Sequence, residues 1–331
     1  MKTSFILLFI LSSSIFPQQT NKFLFVIHGG AGTITKGSIT AVEEQSYKEK
    51  LKEALFAGYE ILKNNGSSLD AVEAAIKIME DSPLFNAGKG AVFNNKGKNE
   101  LDASIMDGRN LNAGAIAGVH HIKNPISLAR LVMEKSQHVL LTGDGAEEFA
   151  SANGIQLVPE DYFYTEKRWQ QLLKAREGDK KDSIPKINYI NSDYKFGTVG
   201  AVALDKHGNL AAGTSTGGMT NKKFGRVGDS PIIGAGTYAD SICAVSCTGH
   251  GEYFIKNAVA YDVSARMKYC GHSLVQATED IIHNVLEKQG AKGGLIAIDK
   301  DGNLAMPFNT TGMYRGYIKE NGSWEVKIYG E

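Results

Sequence analysis

Two similar apolar segments constrain the fold of this chain more than any other feature. The first runs from Phe196 to Thr216 and the second from Leu295 to Met306. In each, β-branched and small apolar residues lead through a polar, glycine-containing turn into a second apolar run, which predicts a β-hairpin. Helical spacing of apolar residues fills the region between them, at about 252–268 and 272–289. Because strands and helices are grouped and do not alternate, the sequence predicts an α+β protein with antiparallel sheets.

The first third of the chain predicts one strand and two helices. The apolar run Phe23–His28 ends in Gly29-Gly-Ala-Gly32, which is typical of a buried strand that opens into a tight loop. From about Val42 to Lys63, apolar residues recur at helical spacing. Ser67-Ser-Leu-Asp70 then has the spacing of a helix start, and the second helix ends before Pro83.

A charged segment precedes the first hairpin. Residues from about 160 to 195 are poor in apolar residues and dense in charge, as in Lys174–Asp182. This composition predicts a long exposed linker, partly disordered, that runs directly into the buried strand beginning near Thr198.

The N-terminus differs in kind from the rest of the chain. Lys2 is followed by the apolar stretch Phe5–Phe16, which has the length of the hydrophobic region of a signal peptide. We expect residues 1–20 to be a cleaved signal peptide, so that the mature protein is secreted or periplasmic and has no membrane contact. The cleavage region lacks a clean A-x-A pattern, and the alternatives are a buried first strand or a membrane anchor.

Charge and motif content exclude several function classes. The chain has 36 Lys and Arg against 36 Asp and Glu, so no net charge attracts it to nucleic acid. Its three cysteines, Cys243, Cys247 and Cys270, lack the paired spacing of a zinc site or a disulfide framework. The sequence contains no phosphate-binding loop and no H-E-x-x-H.

The junction of Gly197 and Thr198 is unusual because a charged segment meets a buried strand there. A threonine hydroxyl is a weak nucleophile without a base. Cleavage of the bond between these residues would free an α-amine with a pKa of about 8 beside that hydroxyl. The alternative is that Thr198 is only the first residue of a β-branched strand.

Other residues near the predicted strand ends suggest an acyl-transfer site. Thr214–Gly218 and Cys247–Gly251 combine hydroxyl groups with glycine N–H groups, as an oxyanion hole requires. On the loop between them, Arg226 and Asp229 could hold the carboxylate and ammonium of an α-amino acid. The alternative for this pair is an ion pair in a surface turn.

Taken together, these motifs resemble the plant-type L-asparaginases, also called isoaspartyl peptidases or β-aspartyl-peptidases, of the N-terminal-nucleophile hydrolases. The resemblance covers about Phe25 to Tyr314. Seven segments carry it: His28–Gly32, Leu84–Phe93, Glu100–Gly108, Gly197–Asp205, Thr214–Lys222, Gly225–Pro231 and Thr248–Glu252.

The resemblance implies a four-layer αββα sandwich made as an inactive precursor. Cleavage before Thr198 would give an α subunit of residues 21–197, with a mobile linker at about 160–197, and a β subunit of residues 198–331. Both subunits would form one structural domain. Two αβ units would associate into an (αβ)2 heterotetramer, and no organic cofactor would be needed.

The resemblance also implies the roles of individual residues. Thr198 would be the nucleophile and its new amine the base, with Thr216 supporting it and Asn86 lying beside it. Thr248 and the Gly249 N–H would form the oxyanion hole. The following residues would bind the aspartyl part of the substrate: Arg226, Asp229, Thr248, Gly249 and Gly251. The implied reaction hydrolyses β-aspartyl dipeptides and the side-chain amide of L-asparagine, releasing L-aspartate.

The family often holds a structural sodium ion on a loop. Here the backbone carbonyls of Met79, Glu80, Ser82, Phe85, Ala87 and Lys89 would provide the ligands. A hard cation with oxygen ligands is chemically reasonable, and the alternative is a hydrated loop without an ion.

Two other functions are compatible with the same motifs. Glycosylasparaginases share the nucleophile but cleave the sugar–asparagine amide. They usually have Asp before the nucleophile and a T-N-G motif, where this chain has Gly197 and Thr216–Gly218. The second alternative is a binding protein of the same fold that has lost catalysis, which requires an uncleaved chain.

Overall fold

The computed structural model describes residues 22–181 and 197–330. The expected signal peptide and residues 182–196 of the expected linker lie outside the described residues. No helix within the described ranges is long and apolar enough to cross a membrane.

The described chain forms two β-sheets. Its strands, in chain order, are β1 Leu24–Gly32, β2 Leu101–Asp107, β3 Ala113–Val119, β4 Leu140–Thr142, β5 Val199–Leu204, β6 Leu210–Thr216, β7 Thr237–Ala239, β8 Cys243–Gly249, β9 Gly293–Asp299, β10 Leu304–Ala305, β11 Gly312–Lys319 and β12 Trp324–Tyr329. The larger sheet has the order β12-β11-β1-β5-β6-β2-β3-β4, and the smaller has the order β10-β9-β8-β7. Every neighbouring pair is antiparallel except β3 and β4, in agreement with the expected sheet type.

Helices lie on both sheets. They are α1 Ala41–Lys63, α2 Ser68–Glu80, α3 Pro125–Lys135, α4 Gly143–Ala152, α5 Glu166–Lys181, α6 Gly251–Lys256, α7 Val259–Cys270 and α8 Leu274–Glu279, which continues into π-helical turns at Asp280–Leu286. Helices α1, α2 and α3 contact strands of the larger sheet, whereas α7 and α8 contact strands of the smaller one.

The central strands are buried on both faces. Along β1, Phe25 and Ile27 belong to the core shared with α1, α2 and α3, whereas Val26 belongs to the core shared with β8 and β9. Successive side chains of a strand point to opposite faces, so this alternation places helices against one face of the larger sheet and the smaller sheet against the other. Contacts of β8 and β9 with β1 and β5 agree with that arrangement.

The structure confirms both predicted hairpins. In the first, Val199 pairs with Ser215 across β5 and β6, and in the second Ile298 pairs with Leu304 across β9 and β10. The two predicted N-terminal helices are α1 and α2. Near the C-terminus, the helix expected at about 252–268 is broken between α6 and α7, where Ala258 has a φ of 45°.

The expectation of an exposed linker from about residue 160 is wrong for its first part. Glu160–Phe163 forms a 3-10 turn and α5 follows it. Phe163, Arg168 and Leu172 are buried, and the Trp169 ring lies edge-on to Phe93 with centroids 5.3 Å apart. A few well-spaced buried side chains hold this helix to the body despite its charged composition.

All three cysteines are free thiols. Cys243 and Cys247 lie in β8, where burial raises the pKa of both thiol groups.

Candidate active site

Thr198 lies immediately before β5, beside Thr216, the last residue of β6. The register of this hairpin places the Thr198 and Thr216 hydroxyl oxygens 3.2 Å from each other. Thr198 is only 7% exposed, and its hydroxyl is also 2.8 Å from the carbonyl oxygen of Gly197. The candidate nucleophile is therefore next to the carbonyl group of the bond that it would cleave.

The Gly197 carbonyl oxygen is held by donors from distant parts of the chain. Asn86 Nδ2 donates to it at 2.8 Å and Thr216 Oγ1 at 3.1 Å. Asn86 is itself fixed, because its Oδ1 accepts from the Val92 N–H at 2.9 Å and its Nδ2 also donates to the Gly218 carbonyl at 2.7 Å. Fixed donors at a carbonyl oxygen stabilise the negative charge that develops there during nucleophilic attack.

Thr248 lies at the end of β8, in the smaller sheet. Its side chain is fully buried, and Oγ1 accepts a hydrogen bond from the Ala31 N–H at 3.2 Å. Gly30, the residue before Ala31, has a φ of 106°. It packs so closely that a Cβ there would lie 3.1 Å from the Thr198 nitrogen. The glycine-rich end of β1 thus contacts both Thr198 and Thr248, with Gly249 following directly.

Arg226, Asp229 and Gly251 meet at one place. A Cβ on Gly251 would lie 2.8 Å from Arg226 Nη2 and 2.9 Å from Asp229 Oδ1. The absence of a side chain at this position therefore leaves room for the two charged groups. The structure brings together the residues expected to bind an α-amino acid.

Asp229 has an unusual environment. Its side chain is buried, and Oδ2 has no hydrogen-bond partner among the described residues. Burial raises the pKa of Asp229 to about 7, while the charge of Arg226 opposes that shift. A buried carboxylate oxygen without a donor is suited to accept one from a bound ammonium group.

Glu252 is a partner of Arg226, and the sequence motifs predicted no role for Glu252. Its carboxylate accepts two hydrogen bonds from the Arg226 guanidinium, both at 2.9 Å. Burial opposes ionisation of Glu252, but the hydrogen bonds and the charge of Arg226, with smaller contributions from the backbone and His250, together outweigh it and lower the pKa. The expected alternative of a surface ion pair between Arg226 and Asp229 is replaced by this bidentate pair with Glu252.

A hydrogen-bonded row of buried polar groups runs between the two sheets, and the sequence motifs did not predict it. Its members are His28, Ser246, Thr214, Thr237 and Ser104, with neighbouring polar atoms 2.6 to 3.0 Å apart. Burial lowers the pKa of His28 to about 3, so its imidazole is neutral. At the other end, Ser104 Oγ donates to the Ser230 carbonyl at 2.6 Å, next to Asp229. The only sequence signal for this row of polar groups is the excess of Ser and Thr in predicted strands.

The loop expected to hold sodium has closely packed carbonyl groups. A Cβ on Gly88, where φ is 48°, would lie 2.4 Å from the Glu80 oxygen, and one on Gly90 would lie 2.0 Å from the Phe85 oxygen. The Met79 and Ala87 carbonyls accept backbone hydrogen bonds at 3.3 and 3.1 Å. Carbonyl oxygens concentrated in a glycine-containing loop are a donor set that a hard cation accepts.

Comparison with known proteins gives a consistent result. The family model described as asparaginase matches residues 21–328. An isoaspartyl peptidase of Salmonella typhimurium is 50% identical over 94% of this chain and 100% of its own length. An isoaspartyl peptidase of Escherichia coli is 50% identical over 94% of this chain and 97% of its own length. An isoaspartyl peptidase/L-asparaginase of Mus musculus is 44% identical over 92% of this chain and 90% of its own length. The described site and this full-length similarity show that the chain belongs to the asparaginase family.

Proposed function

We propose that this protein is an autoprocessing threonine hydrolase that cleaves β-aspartyl dipeptides and the side-chain amide of L-asparagine, releasing L-aspartate. The observation that carries the proposal is the position of the Gly197 carbonyl between the Thr198 hydroxyl and the donors Asn86 and Thr216. The relatives named isoaspartyl peptidase support the choice of substrate.

The first reaction is cleavage of the chain itself. Thr198 Oγ attacks the Gly197 carbonyl carbon, the C–N bond breaks, and the hydroxyl proton passes to the departing nitrogen, which leaves an ester. Asn86 and Thr216 stabilise the oxyanion through the hydrogen bonds already present. Water then hydrolyses the ester, giving a Gly197 carboxylate, a free Thr198 hydroxyl and a free α-amine.

The second reaction uses the new terminus. The Thr198 amine accepts the hydroxyl proton while Oγ attacks the side-chain carbonyl of the substrate. Ammonia or an amino acid leaves, and water hydrolyses the aspartyl ester. Because Thr248 Oγ1 accepts its hydrogen bond from Ala31, its own hydrogen remains available to donate to the oxyanion, together with the Gly249 N–H.

The aspartyl part of the substrate would bind through charge. Arg226 pairs with the α-carboxylate, for which the substrate must compete with Glu252. Asp229 accepts from the α-ammonium group, and the glycines at 249 and 251 leave space for the aspartyl backbone. This division of roles follows the pairing of a planar guanidinium with a carboxylate.

The finer architecture belongs to the same proposal. Contacts of α2 with β5, of β5 with β8 and of α7 with β8 support a four-layer αββα sandwich. We also propose the (αβ)2 assembly, a secreted or periplasmic location, a sodium ion on the carbonyls of residues 79–89, and catalysis without an organic cofactor.

Intact-mass analysis with N-terminal sequencing tests the proposal. We expect a fragment that begins at Thr198, together with hydrolysis of a β-aspartyl dipeptide and of L-asparagine. A chain that stays whole after prolonged incubation at neutral pH would refute it and favour a binding protein.

A further inference from the structure

A cavity of about 70 Å³ lies beside the proposed cleavage site, on the side of the α-subunit helix α5. Gly197 and Asn86 line one part of it, Arg168 and Gln171 another, and Tyr314 contributes an aromatic wall. None of the described residues that line this cavity is an aspartate or glutamate. The site already described therefore borders a second space, and the positively charged side chains that the described part of the chain contributes to it come from α5.

Arg168 is the unusual residue of this cavity. It is 7% exposed, and the acceptors of its guanidinium among the described residues are neutral: the Gly90 carbonyl at 2.7 Å and Gln171 Oε1 at 3.1 Å. Burial lowers the pKa of Arg168, and no carboxylate of the described residues forms an ion pair with it. Its neighbour Lys167 differs, because its ammonium lies 3.3 Å from Glu43.

A buried cation without a counter-ion is costly, and other arginines of this chain avoid that cost. Arg226 pairs with Glu252, and Arg130 pairs with Asp70, Glu73 and Glu134. An unpaired ion that is removed from water loses its hydration without compensation, and a bound anion would supply that compensation. The planar guanidinium, which keeps donors beyond the two in use, matches a carboxylate in geometry.

We propose that this cavity is a carboxylate-binding site anchored by Arg168. The inference rests on the proposed function, because two carboxylates arise next to Gly197 only if the chain and its substrates react there. One is the new C-terminal carboxylate of Gly197. The other belongs to the amino acid that leaves a β-aspartyl dipeptide, and it lies one residue beyond the scissile amide.

Both sources fit the geometry. The acyl carbons of the precursor and of the substrate must each come within about 3.5 Å of the same Thr198 Oγ. Gly197 itself lines the cavity. A residue spans about 3.8 Å, so a group one residue away from the acyl carbon can enter the cavity. L-Asparagine releases ammonia and has no second carboxylate on its leaving group, which separates the two sources experimentally.

The first experiment compares leaving groups in the processed wild-type enzyme. If the site takes the leaving amino acid, β-aspartyl-glycine has a kcat/KM about 10- to 100-fold higher than β-aspartyl-glycinamide, as expected for a charged hydrogen bond. In Arg168→Gln this difference disappears, and the ratio of kcat/KM for β-aspartyl-glycine to that for L-asparagine falls by the same factor. Arg168→Lys, which keeps the charge, retains part of it.

The second experiment examines the new C-terminus. If the site takes the Gly197 carboxylate, carboxypeptidase leaves Gly197 on the wild-type α subunit but removes it from Arg168→Gln, as read by intact mass. The two dipeptides are then hydrolysed equally well. Arg130→Gln, which removes an arginine with its own carboxylate partners, is the matched control and behaves as wild type in both experiments.

The proposal is overturned if processed wild-type enzyme shows neither the leaving-group difference nor protection of Gly197. Both measurements use wild-type protein, so they can refute the site even if Arg168→Gln does not fold, and Arg168→Lys then tests the contribution of the guanidinium. Normal processing and normal L-asparagine hydrolysis with neither effect refute the carboxylate site alone. Absence of a fragment beginning at Thr198 refutes the proposed function and this inference with it.

Discussion

The side-chain amide of Asn86 donates a 2.8 Å hydrogen bond to the carbonyl oxygen of Gly197. The two residues are 111 positions apart in the sequence, yet they define the electrophile of the proposed self-cleavage. Because Asn86 is also held by Val92 and Gly218, the amide does not have to reorganise as charge develops on the oxygen.

Replacing Asn86 tests this relationship. Asn86→Leu removes one oxyanion donor, so we expect self-cleavage to slow by about 10²- to 10³-fold. The fraction of processed chain against time, measured by mass spectrometry, checks this. The control is Asn153→Ala, which removes an exposed amide that donates to the Phe149 carbonyl of its own helix. Processing of Asn86→Leu at the wild-type rate would assign stabilisation of the Gly197 oxyanion to Thr216 alone.

Replacing Thr198 tests the nucleophile. Thr198→Ala has no hydroxyl, so it should remain a single chain and hydrolyse neither substrate, whereas Thr198→Ser should still process. Gel analysis and an ammonia-release assay give the two readouts. Two fragments of normal size from Thr198→Ala would rule Thr198 out as the nucleophile.

Arg226 should act on substrate binding and not on processing. Arg226→Ala removes the partner of the substrate carboxylate, so we expect KM for both substrates to rise by 10-fold or more while the fragment beginning at Thr198 still forms. Steady-state kinetics on processed enzyme measure this. Unchanged KM values would remove Arg226 from the substrate site, and a block of processing would show that it also supports cleavage.

Asp229 should impose a pH dependence on substrate capture. Its pKa is raised to about 7, so in the free enzyme it is protonated below that pH and cannot accept from an ammonium group. The Thr198 amine, with an ordinary pKa near 8, must also lose its proton. We therefore expect log kcat/KM to rise with a slope of about two at acidic pH, and with a slope of about one in Asp229→Asn. Identical slopes would contradict this role.

The raised pKa of Asp229 also makes the stability of the fold depend on pH, in the opposite direction to its effect on substrate capture. Because the native pKa of Asp229 lies above its ordinary value of 3.8, the native state binds the proton more tightly than the unfolded state. The contribution of Asp229 to stability is therefore greatest at low pH and is lost as the pH rises toward about 7. Asp229→Asn should flatten this part of the pH dependence of unfolding.

The packing of the segment before α5 can be tested by removing Phe163. Its ring is fully buried, so Phe163→Ala should lower the free energy of unfolding by about 3–5 kcal/mol. Denaturant unfolding in the unprocessed Thr198→Ala background keeps the chain in one piece for the measurement. Tyr269→Ala, an aromatic residue that is 75% exposed, is the matched control and should change stability little. If both substitutions lower the free energy of unfolding by the same small amount, the segment before α5 is an exposed linker after all.

Much of the fold is local information that a sequence carries. The spacing of Leu51, Leu55 and Leu62 predicts α1, and the paired apolar runs around Gly208 predict the hairpin of β5 and β6, because periodicity reports which face of an element is buried. The junction of Gly197 and Thr198 draws attention to that threonine, and the resemblance of the surrounding motifs to a known family implies that it is the nucleophile. They depend on residue types next to one another in the chain.

The tertiary structure alone decides which distant groups meet. It seats Asn86 on the Gly197 carbonyl, pairs Arg226 with Glu252, joins His28 to Ser246, and packs α5 so that the buried Arg168 lines a cavity. Composition predicted an exposed linker where α5 lies, since a few buried side chains among many charges leave a weak periodic signal. Such contacts depend on strand register and on how helices and sheets pack. Those are properties of the whole folded chain and not of any stretch of it.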